Sequence, residues 1–453
     1  MTDINTVFKS LIQSHPKEMC DAVSFLEKEM DKRDCKFADK IVPVFIKPVF
    51  IPSYYFESLK NIIKHINSIL DKTAQLYFSH PELKRHFCLN PKEEELLTHE
   101  HGYKSTVVIE RPDAFFVDRV IRFVEFNCDS PAGPGYADVT QDIMNESFPI
   151  KQLNNHFDFD AYGRKQHLLD ALLEVYHEFA GHNKKPTICI IDWDEVRTQN
   201  EFRIFKTFFE SQGYQTLIAD PRNLKYKQGR LEAQGVPIDL VYRRVIFREL
   251  MEKSDECQDF IKAFKDGKVC VVNPFRSRLA SNKAILSIIT NLKKYGAFYT
   301  KEEQKIIKTH IPWTRRVLNH ETFYHDGLVF LKGYIRRNRE KLVLKPSDSY
   351  GGKNVVIGCE CSQEKWETLT HRILNNKEDW VVQRYVPIPE IMVPVIQNNT
   401  ITLKKKKYNI NPFVFGDRYA GSMSRLSDQS VINVSAGGGM VPVFQYHEKE
   451  PPK

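Results

Sequence analysis

The chain has 453 residues, of which 42% are hydrophobic, 12% aromatic and 27% charged, the balance of a folded soluble protein long enough for two to four domains and a large core. A formal net charge of +8 is mild; it suits anionic nucleotide phosphates and is too diffuse to argue for nucleic acid. The nine cysteines show no disulfide framework and no Cys-x-x-Cys pair, no run of eighteen apolar residues occurs, and no basic start precedes an apolar stretch, so disulfide-stapled, membrane-spanning and exported classes are set aside and a cytoplasmic location is expected.

Residues 1–100 read as a helical accessory region. Leu59, Ile62, Ile63, Ile66, Ile69 and Leu70 fall on one stripe of a helix over 56–76. His99 and His101 flank Glu100, but metal-binding helix pairs sit at i, i+4 and these two do not. Residues 121–126 are β-branched and aromatic and read as a strand, on which Glu125 and Asn127 share a face. Asp113 can reach them from the preceding strand, with Arg111 two residues before it. Two carboxylates and an amide oxygen form a set of the kind Mg²⁺ accepts, and an arginine beside them suits a phosphoryl group in transfer. The competing reading is a solvated strand edge. Cys128 adjoins the set, and with no histidine nearby in sequence it reads as a packed residue. A helix is expected at about 160–181, with Leu168, Leu169, Leu172, Leu173, Tyr176 and Phe179 inward.

Residues 186–275 alternate, with strands at 187–192, 216–220, 238–242 and 269–272 and a helix at 200–212, the pattern of a small parallel α/β domain. Arg243 and Arg244 end the third strand and either grip a substrate carboxylate or pair with a nearby acid. Residues 276–300 read as a helix bearing Lys283. Leu342 to Leu344 is an apolar run ending in Lys345; a small glycine-bearing loop, Ser349 to Lys353, and a second apolar run follow. Glycines let backbone N–H groups approach phosphate oxygens, and Lys345 adds a point charge. The segment is neither a P-loop nor a Rossmann fingerprint. Residues 380–386 form a short buried strand running into Pro387 and Pro389, a hinge able to present backbone groups to an adenine edge. Lys404 to Lys407 read as the solvated tip of a hairpin.

In this order the pieces resemble the circularly permuted ATP-grasp family, as in the synthetase domain of glutathionylspermidine synthetase. The usual order puts the nucleotide lysines first and the metal carboxylates last; here Asp113, Glu125 and Asn127 precede Lys283, Lys345 and Gln383, and the Arg-x-Asp, Glu-x-Asn spacing matches. The resemblance covers roughly residues 100–445. It implies an α/β (α+β) fold with a two-lobed nucleotide site: a helical region at 1–100, a metal-binding part at 101–185, a Rossmann-like domain at 186–275 and a nucleotide-binding part at 276–453.

The resemblance also implies ATP and Mg²⁺ as cofactors and a small-molecule carboxylate and amine as substrates, with neither nucleic acid nor membrane as partner. Asp113, Glu125 and Asn127 take the metal in that reading. Lys283 and Lys345 take the nucleotide phosphates, and the loop from Ser349 through Gly351 and Gly352 closes over the γ-phosphate. Gln383, Arg384 and Tyr385 form the adenine hinge. Arg111 and Arg425 act on the phosphoryl group, with Arg418 competing for the place of Arg425. Asn433 and Gly437-Gly438-Gly439 form either a loop near the site or a surface turn. Ser130 matches one substrate hydroxyl of the family pattern, but Ala132 stands where a second is found, a departure from glutathione-like specificity. The expected activity is a carboxylate–amine ligase acting through an acyl phosphate on an amino acid or peptide-like acid. The alternatives are a non-catalytic nucleotide-binding scaffold and an ATP-dependent phosphotransferase.

Overall fold

The apolar stripe of the N-terminal region folds as one 26-residue helix, Tyr54–Ser79, in the computed structural model, which describes residues 3–318, 320–324, 326–349, 351–397, 400–432 and 438–449. Phe56, Leu59, Ile63, Ile66, Ile69, Leu70 and Ala74 are buried along it, at the three- and four-residue spacing that keeps one helix face turned inward. That face meets Ser277–Ser281, Ala284–Ile289 and Lys301–His310. Glu303 fastens the contact: its buried carboxylate accepts hydrogen bonds from Lys72 Nζ at 2.7 and 2.9 Å and from Ser68 Oγ at 3.1 Å. The N-terminal region also reaches the main sheet, because Val49–Pro52 pairs in parallel with Gly439–Glu448.

The main sheet runs in the order Glu390–Gln397, Thr400–Tyr408, Arg418–Ser427, Asn411–Phe415, Ile109–Val117, Val120–Asn127, with Gly439–Glu448 branching from Arg418–Ser427. It thus joins the early strands that carry Asp113 and Glu125 to strands some three hundred residues later. Lys404 to Lys407 are not a hairpin tip. They lie inside Thr400–Tyr408, paired in register with Glu390–Gln397, and strand pairing accommodates them because Lys405 meets Glu390, Lys406 meets Asp428 and Lys407 meets Glu360.

The alternating region folds as a four-stranded parallel sheet ordered Cys270–Val272, Leu240–Arg243, Ile188–Ile191, Thr216–Ala219. The two inner strands and the edge strand Cys270–Val272 are buried along their whole lengths, which is why they read as largely apolar runs. A small antiparallel sheet, Lys225–Lys227, Arg230–Ala233 and Val236–Ile238, is inserted before the third strand in sequence. The nucleotide lobe is a separate antiparallel sheet, Thr314–Arg316, Trp380–Arg384, Leu342–Pro346, Val356–Ile357, on its own core of Leu331, Ile335, Leu344, Trp366 and Val382. Among the described residues no helix is long and apolar enough to cross a membrane.

Residues 276–300 do not form one helix. They break into Ser277–Ser281, Ala284–Ile289 and Leu292–Tyr295. Asn282 is extended, and its side-chain Oδ1 takes the N–H of Ala284 at 2.9 Å, so the chain restarts a helix there. The break frees the Lys283 N–H to donate to Ser347 O at 2.9 Å, which ties this segment to the glycine loop.

Glu110 lies on Ile109–Val117, one residue before Arg111 and so on the other strand face. It is 1% exposed, neither carboxylate oxygen has a hydrogen-bond partner, and burial raises its pKa to about 8. The folded protein therefore holds a proton that the unfolded chain releases near pH 4.5, so stability falls as pH rises through that window, by up to about 1.4 kcal/mol per unit. Glu110→Gln is expected to remove this slope. Unfolding midpoints of both proteins from about pH 5 to about pH 8 check it; parallel slopes would show that Glu110 is already ionised in the folded state.

Candidate active site

Arg111, Asp113, Glu125 and Asn127 are brought together by a tight hairpin. Ile109–Val117 and Val120–Asn127 are antiparallel, with Arg111 opposite Asn127 and Asp113 opposite Glu125. Asp118 and Arg119 turn the chain, both at positive φ (51° and 63°), the backbone that two-residue hairpin loops require. The sequence spacing of the four residues is thus the trace of a register, and it sets all four on one face. The ladder shifts just after Asp113, at a bulge before Ala114.

These side chains line a cavity of about 670 Å³, whose opposite wall comes from the nucleotide lobe through Val343, Lys345, Ile357, Gln383, Arg384 and Tyr385. Gly351, Gly352 and Lys353 form part of its rim. Gly351 and Gly352 sit at positive φ (67° and 72°), and a Cβ at Gly352 would lie 2.2 Å from Val431 Cγ1, so only glycine lets the loop settle there. Tyr350, Asn433 and Gly437 lie outside the described residues, so the expectations placed on them are not addressed; Gly439 opens the strand Gly439–Glu448.

The charges are already paired. Arg425 Nη2 donates to Asp113 Oδ2 at 2.5 Å, and its Nε donates to Asn411 Oδ1 at 3.2 Å. Lys283 Nζ lies 2.9 Å from Glu125 Oε1 and donates to Ser349 O at 2.5 Å. Lys345 Nζ donates to Gln383 Oε1 at 2.8 Å and to Val124 O at 3.1 Å. Burial lowers the Lys345 pKa to about 8, with Lys283 acting in the same direction against the pull of Glu125 and Asp113. Burial likewise brings Arg111 down to about 10, with Arg425 adding to it. Burial opposes ionisation of Asp113, but Arg425 and Arg111 outweigh it and hold the carboxyl below its usual value.

Several expectations are revised by these contacts. Arg418 is remote from the cavity and forms a surface pair with Glu174 at 2.6 Å, which leaves Arg425 as the arginine of the site. Arg243 is fully buried and donates to the carbonyls of Asn273 and Val245, while its Nη2 lies 2.6 Å from Asp129 Oδ1. Arg244 is buried too, donating to Pro131 O and Tyr242 Oη, with Nη2 3.4 Å from Glu201. Both arginines pair with acids, and neither is among the residues that line the cavity. Ser130 does line the cavity, but its hydroxyl donates to Arg244 O. Lys283 and Ser349 lie behind the lining and act on it through Glu125 and the loop backbone. Gln383, Arg384 and Tyr385 line the cavity, but the N–H groups of Arg384 and Tyr385 donate to Trp313 O and Lys341 O, and the Gln383 amide is held between Lys345 and Thr314 Oγ1. Val386 and Ile388 border the cavity beside them.

Three residues that sequence reasoning missed shape the site. Asn411 donates to Asp113 Oδ1 at 2.8 Å, and Asn409 Oδ1 accepts the Arg425 N–H at 3.1 Å. Their i, i+2 spacing beside an arginine-bearing strand was the available signal. Glu201, fully buried, accepts the N–H groups of Gly133 (2.8 Å) and Gly135 (3.1 Å) and so holds the loop whose Ala132 carbonyl accepts from Arg111 Nη1. Cys128 is buried, and burial pushes its thiol well above the ordinary range, as fits a packed residue.

The donor set fits a hard divalent cation. Asp113 and Glu125 supply two carboxylates, the number Mg²⁺ commonly takes from protein when nucleotide phosphates complete its shell; among the described residues no group of three or more His, Cys, Asp or Glu that could hold a metal ion occurs. Asn127 Nδ2 donates to Arg111 O at 3.0 Å and Asp113 Oδ1 at 3.2 Å, leaving Oδ1 as the part of the amide not used in those bonds.

A strand pair carrying carboxylates, facing an antiparallel lobe with a buried lysine and a glycine loop, defines the ATP-grasp class of fold. The chain belongs to the circularly permuted ATP-grasp type 2 family, whose match runs over residues 117–427. An uncharacterised protein of Synechocystis sp. (strain ATCC 27184 / PCC 6803 / Kazusa) is 21% identical over 339 residues, covering 70% of this chain and 64% of that one. An uncharacterised protein of Mycobacterium tuberculosis (strain ATCC 25618 / H37Rv) is 22% identical over 337 residues, covering 70% of this chain and 56% of its own. The chain thus spans about three fifths of the length of these curated relatives. In three dimensions it is similar to a glutathione synthetase-like effector from Globodera pallida, with a TM-score of 0.64 at 12% identity over 98% of both chains.

Proposed function

We propose that the protein is an ATP- and Mg²⁺-dependent ligase that joins a small carboxylic acid to an amine through an acyl phosphate. The observation that carries this reading is the convergence of Asp113, Glu125, Lys283, Lys345 and Arg425 around one cavity, from opposite ends of the chain. The likeness to an effector described as glutathione synthetase-like agrees with it.

A carboxylate is a poor electrophile. One of its oxygens attacks the γ-phosphorus, ADP leaves, and the resulting acyl phosphate is open to an amine, which displaces phosphate and loses a proton. In-line placement and charge neutralisation supply most of the catalysis. Mg²⁺ on Asp113, Glu125 and Asn127 would neutralise phosphate charge. The chain's own residues do the rest by exchanging partners: Arg425 leaves Asp113 and Lys283 leaves Glu125, each to meet a phosphate oxygen. Lys345, held by Gln383 and Val124 O, adds charge without moving. Arg111, positioned by Ala132 O, steadies the phosphoryl group in transit. The loop at Gly351 and Gly352 keeps water from the acyl phosphate.

The test is isotopic. With both substrates present and the acid labelled with oxygen-18 in its carboxylate, one label per turnover is expected in the released phosphate. Phosphate free of label, with amide formed, removes the acyl-phosphate route.

A further inference from the structure

One part of the cavity lining, contributed from outside the nucleotide lobe, is largely apolar: Phe37, Val42, Tyr136, Ile246 and Met440. Met440 stands opposite Arg425 across its strand pair, and the Tyr136 hydroxyl is buried without a hydrogen-bond partner. Phe37 and Val42 come from the N-terminal region, on and after the small hairpin of Lys36–Phe37 and Lys40–Ile41. That hairpin is docked from two sides. Ala38 N–H donates to Arg197 O at 2.8 Å, next to Thr198 of the lining, and Met440 N–H donates to Pro43 O at 2.8 Å, with Val44 bridged to Met440. Val42, Tyr136 and Met440 are at most 4% exposed and share one hydrophobic cluster.

Most charges beside these residues are committed to partners. Arg425, opposite Met440, is bound to Asp113 and Asn411. Glu201 is bound to the Gly133 and Gly135 N–H groups and paired with Arg244, and Arg244 is further tied to Pro131 O and Tyr242 Oη. Arg111 differs: its Nη2 is 3.9 Å from Asp113, too far for a hydrogen bond, so its charge is only loosely matched. One cation beside an apolar wall suits a single carboxylate attached to an apolar body. A second carboxylate or an ammonium side chain placed against Phe37, Val42 and Met440 would be desolvated without a partner.

We infer that the acid taken at this site is a monocarboxylate with an apolar body, such as an aliphatic or aromatic amino acid, and that the N-terminal hairpin is its specificity element. This rests on the ligase reading for what happens next, but the binding claim stands by itself. A hydrophobic pocket distinguishes one methylene by about 10- to 200-fold, and an unpaired buried charge is disfavoured more strongly.

The experiment is calorimetric titration of leucine, phenylalanine, glutamate and lysine into the full chain saturated with MgADP. Leucine or phenylalanine is expected to bind at least about tenfold more tightly than glutamate or lysine. Val42→Ala is expected to weaken leucine binding about tenfold or more with MgADP affinity unchanged. Phe37→Asp, at a half-buried hairpin position, is expected to abolish it, with an unchanged thermal midpoint as the folding control. Glutamate or lysine binding as well as leucine overturns the inference. So does the absence of binding by any of the four in the millimolar range, or a leucine preference that survives both substitutions. Phosphate release tells the two readings apart: leucine bound but never phosphorylated removes the ligase reading alone, whereas turnover with glutamate and not leucine removes this inference alone.

Discussion

Glu125→Gln is expected to lower turnover by about 10³-fold or more, the scale on which phosphoryl-transfer enzymes lose rate when one charge is missing from the transition state. Glu125 has two partners in the proposed reaction. Beforehand it holds Lys283, 2.9 Å away, and afterwards it is the carboxylate that accepts the metal. Glutamine keeps the size and one oxygen for Lys283 to donate to, so the buried ammonium is not stranded and the fold survives. What is lost is the negative charge. Steady-state ADP formation is the measurement, with the thermal midpoint as control. Near-normal turnover in a folded Glu125→Gln protein would remove Glu125 from the metal set and with it the mechanism proposed here.

The second large effect is on stability. Asp129→Asn is expected to destabilise the protein by about 3–5 kcal/mol, the range for stripping one partner from a buried ion pair. Arg243 has no exposed surface, and its three carbonyl acceptors, Asn273, Val245 and Asp129, do not neutralise it; among the described residues the acid paired with it is the Asp129 carboxylate, 2.6 Å away. Asparagine still offers an oxygen to the Phe247 N–H, which Asp129 Oδ2 accepts at 2.8 Å, so the loss isolates the charge. Denaturant midpoints at neutral pH measure it. The double change Asp129→Leu with Arg243→Met is expected to recover part of the loss, since a buried pair is replaceable by apolar volume while half of one is not. A loss below about 1 kcal/mol would show that Arg243 is neutralised by something other than Asp129.

The strands Ile109–Val117 and Val120–Asn127 were legible because their information is local. A register between adjacent antiparallel strands leaves a fixed spacing in sequence, and the pair Asp113 and Glu125 with the pair Arg111 and Asn127 shows it. The parallel domain was legible for a related reason, since strands buried on both faces are largely apolar runs. What sequence could not give depends on partners far along the chain. Arg243 and Arg244 look like substrate ligands at a strand end until Asp129 and Glu201 are seen beneath them. Nothing near residue 283 announces that Asn282 will end one helix and begin another, because Ser347 completes the break. The lysine run at 404–407 resembled a loop because its neutralising acids, Glu360, Glu390 and Asp428, come from three other segments. The Phe37 and Val42 wall was invisible for the same reason; its role comes from docking beside Met440, about four hundred residues away.

The strand Gly439–Glu448 pairs with Val49–Pro52, and Arg425 reaches back to Asp113. A ribosome must therefore release residues 439–448 before this strand pair can close, and residue 425 before the carboxylates acquire their arginine. Until then the nucleotide has no finished site to occupy, so it cannot act as a folding ligand for the earlier segments. A protein cut before residue 425 would keep its early carboxylates and still lack the arginine that faces them.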